Sequence, residues 1–63
     1  MTFSEKVKVV RKELCLTQKE LASVLGVSFA TVNRWENGQA KPSALAQKAF
    51  KDFCDSSFID FSQ

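Results

Sequence analysis

Ala30, Asn33 and Arg34 are residues whose chemistry matches the edges of DNA base pairs. An arginine pairs with guanine, an asparagine pairs with adenine, and a methyl-sized group packs on thymine. At about 100° of rotation per residue, one helix would place these three side chains on one face and Val32 and Trp35 on the opposite face. The spacing therefore indicates a core-facing side and a free side able to read bases, with a merely solvated polar face as the alternative.

The helix that carries these residues has its start and its end marked. Ser28 is suited to cap the start, and Gly38 is suited to end it, which predicts a helix from about Phe29 to Asn37.

Another helix precedes it. Thr17 and Glu20 have the spacing of a capping box, and Gly26 tolerates the left-handed backbone that ends a helix, so we expect this helix to begin at Gln18. Two capped helices around a glycine turn are typical of a helix-turn-helix. Gln18 and Lys19 stand at the positive end of their helix, where free backbone N–H groups suit a phosphate.

Two further helices are predicted on either side, over about residues 3–14 after a Thr2 cap and over about 44–53 after a Ser43 cap. Arg11, beside the first apolar stripe, is expected to form a structural pair with Glu36. The predicted core follows the helical spacing of the apolar residues. It consists of Phe3, Val7, Val10, Leu14, Leu21, Val24, Leu25, Val32, Trp35, Ala46, Ala49, Phe50 and Phe53.

The composition is that of one small helical domain. The chain has 63 residues, of which 44% are hydrophobic and 25% charged, with one proline and two glycines. We expect an all-α fold of four to five helices over residues 1–63, with the core in 3–54 and a tail in 55–63.

Charge is unevenly distributed along the chain. Residues 1–51 contain nine Lys/Arg and four acids, whereas residues 52–63 contain three acids and no base. This division favours a body that faces a polyanion and a tail that points away from it, although a solvated surface is the alternative.

Several classes of protein are disfavoured. The chain has no histidine or tyrosine and no glycine-rich phosphate loop, so we expect neither an enzyme nor a cofactor or metal site. Its unbroken apolar runs are too short for a membrane span or a signal peptide, and we expect a cytoplasmic protein with two free cysteines.

The tail carries three large apolar residues, Phe58, Ile59 and Phe61, which is unusual for a solvated terminus. Two interpretations stay open. The tail forms a homodimer interface remote from the DNA, or it packs on its own core.

The segments LTQKELASVLGVSFATVNRWENG and KPS resemble the signature of the phage repressor and Cro family, the Xre-type helix-turn-helix domains, and the resemblance covers about residues 3–43. It implies a lambda-repressor-like fold and an Arg11–Glu36 pair. Cys15 stands where family members often have glycine, which implies a helix end that is either strained or differently wound, and Phe29 and Ala30 replace hydrogen-bonding side chains of some relatives. The resemblance places Phe29, Ala30, Asn33 and Arg34 at the groove, and Gln18, Ser28, Asn37 and Lys41 at phosphates.

These observations together favour sequence-specific binding of double-stranded DNA by a transcriptional regulator. The alternative is a protein interaction module that reuses the helix-turn-helix, with Phe29 as an anchor for the partner.

Overall fold

The computed structural model describes residues 1–59. These residues form four α-helices, Phe3–Glu13 (α1), Gln18–Leu25 (α2), Phe29–Glu36 (α3) and Ala44–Ser56 (α4). No strand occurs in the part of the chain that is described, and the predicted all-α class is confirmed. No helix within residues 1–59 is long and apolar enough to cross a membrane.

Each helix begins at a hydroxyl side chain that accepts a hydrogen bond from the first turn. Thr2 and Thr17 both form complete capping boxes. At the start of α2, the Glu20 N–H donates to Thr17 Oγ1 at 3.0 Å and the Thr17 N–H donates to the Glu20 carboxylate at 2.8 Å. Ser28 and Ser43 cap α3 and α4 through one side-chain bond each, accepted from the Thr31 N–H and the Ala46 N–H. All four predicted starts are therefore confirmed.

The four helices also end alike, in the hydrogen-bond pattern of the Schellman motif. The N–H after the left-handed residue donates to the carbonyl five positions earlier, as from Leu16 to Arg11 at 2.8 Å. Glycine adopts this backbone freely, whereas a Cβ makes it costly, so α1 and α4 end with strain that α2 and α3 avoid. The left-handed residues are Cys15 (φ 55°), Gly26 (φ 71°), Gly38 (φ 70°) and Phe58 (φ 60°).

The core lies where α3 packs against α1 and α2. Trp35 is only 3% exposed, which confirms its predicted burial. The Phe3 ring meets it edge to face with the centroids 5.2 Å apart, and also meets Phe50 at 5.1 Å. The buried apolar residues are Val7, Val10, Leu21, Ala22, Val32, Trp35, Phe50 and Cys54.

Val24 was expected in the core, and this prediction is wrong, because its side chain is 53% exposed. The inward face of α2 is centred on Leu21 and Ala22, both of which are buried. At about 100° per residue, Val24 then lies on the far side of Leu21 from Ala22 and falls outside the buried arc.

Helix α4 continues three residues beyond the predicted end at Phe53, because Cys54 is also buried and the Schellman motif closes only at Phe58. Ile59 then packs against the core, as the intramolecular interpretation of the tail expects. The neighbouring Phe58 is 96% exposed, and Phe61, the third apolar residue of the tail, lies outside the described residues.

Candidate nucleic-acid interface

The turn between α2 and α3 sets the angle at which α3 is presented. Gly26 adopts the left-handed backbone that ends α2, and Ser28 accepts the Thr31 N–H at 3.1 Å to start α3. Val27, between them, packs against the core. One side chain anchored in the core and two local hydrogen-bond motifs thus hold α3 against α2.

The face of α3 opposite Val32 and Trp35 is free. Ala30 and Arg34 are exposed, and Phe29, at the first position of the helix, is 49% exposed. No side chain within residues 1–59 forms a hydrogen bond or ion pair with the Arg34 guanidinium. The free face therefore offers one cation with all its donors available, beside two apolar groups.

Asn33 lies on the same side of α3 but is half-buried and hydrogen bonded. Its Nδ2 donates to Gln18 Oε1 on α2 at 3.1 Å, and its Oδ1 accepts from Asn37 Nδ2 at 3.1 Å. The structure thus joins the predicted base reader Asn33 to two of the predicted phosphate contacts. The sequence offered no signal for the bond to Gln18, because the two residues lie on different helices.

Beneath this surface, a pair of charged residues ties α1 to the end of α3. Arg11 Nη2 donates to Glu36 Oε1 at 2.9 Å, Arg11 Nε donates to Oε2, and Arg11 Nη1 donates to the Leu16 carbonyl at 3.1 Å. Glu36 is buried, yet the bonds from Arg11 lower its pKa, and the same pair raises the pKa of Arg11. The carboxylate thus stays ionised at the end of α3.

The remaining predicted phosphate contacts flank α3. The Ser28 hydroxyl caps α3 and lies 2.8 Å from Thr31 Oγ1, while Lys41 is exposed in the loop that precedes α4. At the start of α2, the capping box occupies the N–H groups of Thr17 and Glu20 but not those of Gln18 and its neighbour Lys19. These two backbone N–H groups therefore have no partner among the residues that the structure describes, and they suit an anion at the helix start.

The chain is similar to known regulators and to parts of larger enzymes. The helix-turn-helix family model matches residues 7–46. The HTH-type transcriptional regulator DicA of Escherichia coli is 37% identical over 68% of this chain and 32% of its own length. The HTH-type transcriptional activator BcrR of Enterococcus faecalis is 36% identical over 84% of this chain and 26% of its own. The type II methyltransferase M.SsoII of Shigella sonnei is 44% identical over 78% of this chain.

These similarities concern a limited part of each relative. The chain spans 14% of the methyltransferase and about a third or less of the two regulators. No solved structure gives a significant match.

Proposed function

Since this chain belongs to the helix-turn-helix family of phage repressor and Cro-type domains, we propose that it recognises specific sequences in double-stranded DNA and regulates transcription. The single observation that supports this best is the free face of α3, where Arg34 has no hydrogen-bond or ion-pair partner among residues 1–59 while the opposite face is buried. An exposed guanidinium on the same face of a helix as exposed apolar groups suits a base edge in the major groove better than it suits a folded core.

In this proposal α3 lies in the major groove. Phe29, Ala30, Asn33 and Arg34 face the bases, and the phosphate contacts on either side are Gln18, Ser28, Asn37 and Lys41. Gln18 belongs to this set because it stands at the start of α2 and is held there by Asn33. Contacts of this kind position a protein on the duplex without reading the sequence.

The methyltransferase similarity does not carry an activity to this chain, because it is confined to 14% of that enzyme's length. We propose a binding protein with no catalytic role, cofactor or metal, which acts in the cytoplasm together with its DNA.

We also propose that the chain binds DNA as a homodimer. One recognition helix buries little surface and binds weakly, and helix-turn-helix dimers increase affinity by binding two half-sites about 34 Å apart. Phe58 supports this proposal. Its ring is 96% exposed at a left-handed position where glycine would be unstrained. A costly backbone that presents an apolar ring to solvent favours a role in contact with a partner.

The second candidate is a protein interaction module, supported by the half-exposed Phe29 ring.

Fluorescence anisotropy of a labelled duplex at several salt concentrations separates the two candidates. Phosphate contact predicts a steep loss of affinity as salt rises. Absence of duplex binding at low salt would favour the interaction module. Selection of bound sites from random duplexes then tests for a symmetric consensus.

A further inference from the structure

The four side chains proposed to face the bases, those of Phe29, Ala30, Asn33 and Arg34, differ in their freedom to meet a base. Each polar group of the Asn33 amide already has a protein partner, so Gln18 and Asn37 set its orientation. Phe29, Ala30 and Arg34 remain, and in the described part of the chain none of them is hydrogen bonded through its side chain. The unengaged part of the face is therefore two apolar side chains and one guanidinium.

Apolar side chains cannot distinguish donors from acceptors on a base. In the major groove, the 5-methyl group of thymine is the apolar group that a base pair presents. The Phe29 ring is half-exposed at the start of α3, and the Ala30 methyl is exposed next to it. Together they form a small apolar surface at the end of the helix where the recognition helices of this motif contact bases.

We infer that Phe29 and Ala30 read the 5-methyl group of pyrimidines. Thymine and 5-methylcytosine are then favoured over uracil and cytosine at the same position of the site. The preference for 5-methylcytosine over cytosine follows because neither side chain can distinguish the O4 acceptor of thymine from the N4 donor of cytosine beside the methyl group. Binding of this chain thus responds to methylation of cytosine at C5. The inference depends on the proposed function, since it needs α3 in the groove.

The size of the effect follows from the area of one methyl group. Burying one is worth about a factor of four in affinity, since about 0.8 kcal/mol per carbon corresponds to that ratio. Each contacted methyl should therefore contribute about fourfold, which is well within the resolution of a titration.

The test uses the full chain and a duplex obtained by selection from random sequences. Each thymine is replaced singly by deoxyuridine, which removes the methyl and leaves the hydrogen-bonding groups unchanged. We expect a loss of about fourfold at one or two positions and no effect elsewhere. At those positions, 5-methylcytosine should bind about fourfold more tightly than cytosine opposite guanine.

Two variants assign the effect to residues. Phe29→Ala should lose the sensitivity to uracil at one position, whereas Leu45→Ala should keep it, because Leu45 is also a large exposed apolar residue but lies on α4. If Phe29→Ala does not fold, the uracil and methylcytosine series with the unaltered chain still decides the question.

The possible outcomes distinguish failure of methyl reading from failure of the proposed DNA binding. Tight, sequence-selective binding that is equal for thymine and uracil at every position would overturn methyl reading and leave DNA binding intact. Failure to bind any duplex would overturn the proposed function itself, and methyl reading with it.

Discussion

Arg11 Nη2 donates to Glu36 Oε1 at 2.9 Å and so links α1 to the last residue of α3. The Glu36 side chain is 6% exposed and that of Arg11 is 27% exposed, so this is a largely buried charged contact between α1 and the helix proposed to read DNA. The Glu36 carbonyl is held as well, by the Ser4 hydroxyl at 2.7 Å. Both bonds hold the end of α3 against α1.

Glu36→Gln should destabilise the fold, because it removes the charge from a hydrogen-bonded pair, at a cost of about 1.5–3 kcal/mol near neutral pH. The pair with Arg11 lowers the pKa of Glu36. Its contribution is therefore complete above the ordinary carboxylate pKa of about 4.3 and is lost as the pH falls through the lowered value.

The pKa values of Glu5 and Glu20 are also lowered, by their cap bonds, so the unaltered chain loses stability in acid for more than one reason. The difference in unfolding free energy between the unaltered chain and Glu36→Gln isolates the pair. Chemical denaturation at a series of pH values should show this difference shrinking in acid. A difference that does not vary with pH would contradict the assignment.

Cys15→Gly should stabilise the protein. The exposed Cys15 has φ 55°, and removing its Cβ relieves the strain of that backbone. The left-handed backbone costs a residue with a Cβ about 1–2 kcal/mol, and this cost is removed in the variant. Glycine also increases the conformational entropy of the unfolded chain, which offsets part of the gain, so the free energy of unfolding should rise by about 0.5–1 kcal/mol. Thermal unfolding should show a rise in Tm of several degrees. Cys15→Ala is the matched control, since it retains a Cβ; an equal gain in that variant would mean that backbone strain is not the cause.

Trp35→Ala should largely unfold the domain. Trp35 is buried against Phe3, and truncating a buried aromatic residue costs about 3–5 kcal/mol, which is much of the stability of a domain this small. Circular dichroism measures the loss of helix. In the unaltered chain, iodide should quench the fluorescence of the single tryptophan weakly, and strong quenching would argue against the burial.

Arg34→Ala and Lys41→Ala should weaken DNA binding in different ways. Loss of Arg34 should relax preference at one position of the site, since a bidentate contact to guanine is worth about 1–3 kcal/mol. Loss of Lys41 should weaken all duplexes alike and reduce the salt slope by about one. Competition titrations with single-base variants measure both effects. Unchanged preference in the first variant, or an unchanged slope in the second, removes that residue from its proposed role.

Phe58→Gly should have two opposite effects. It relieves the left-handed backbone at the end of α4 and so should stabilise the monomer, but it deletes the exposed ring and so should weaken a dimer. Phe58→Ala deletes the same ring and keeps the strain, and so separates the two effects. Sedimentation at roughly tens of micromolar measures association. A single species of 7.1 kDa for the unaltered chain would reject the dimer.

The helix boundaries were largely predictable from the sequence because their determinants are local. A cap joins residues three apart, as between Thr17 and Glu20, so its spacing can be recognised without knowledge of the fold. The strained helix end at Cys15 was implied only by the family resemblance, which has glycine there, and the structure gives Cys15 a left-handed backbone. The alternation of buried and free residues along α3 was also predictable, because helical rotation alone separates Val32 from Ala30.

Tertiary packing decided what the periodicity of one helix leaves open. Val24 is exposed because α2 packs against its neighbours with the side of the helix that carries Leu21 and Ala22. The spacing of the apolar residues would also fit a rotation of α2 about its axis that buries Val24. The bond from Asn33 to Gln18 joins residues on two helices, so it depends on the angle and distance between α2 and α3. Ile59 and Phe58 are both large apolar residues, yet Ile59 packs on the core and Phe58 faces solvent. Phe58 has the left-handed backbone that ends α4, and the turn of the chain there decides which of the two neighbours reaches the core.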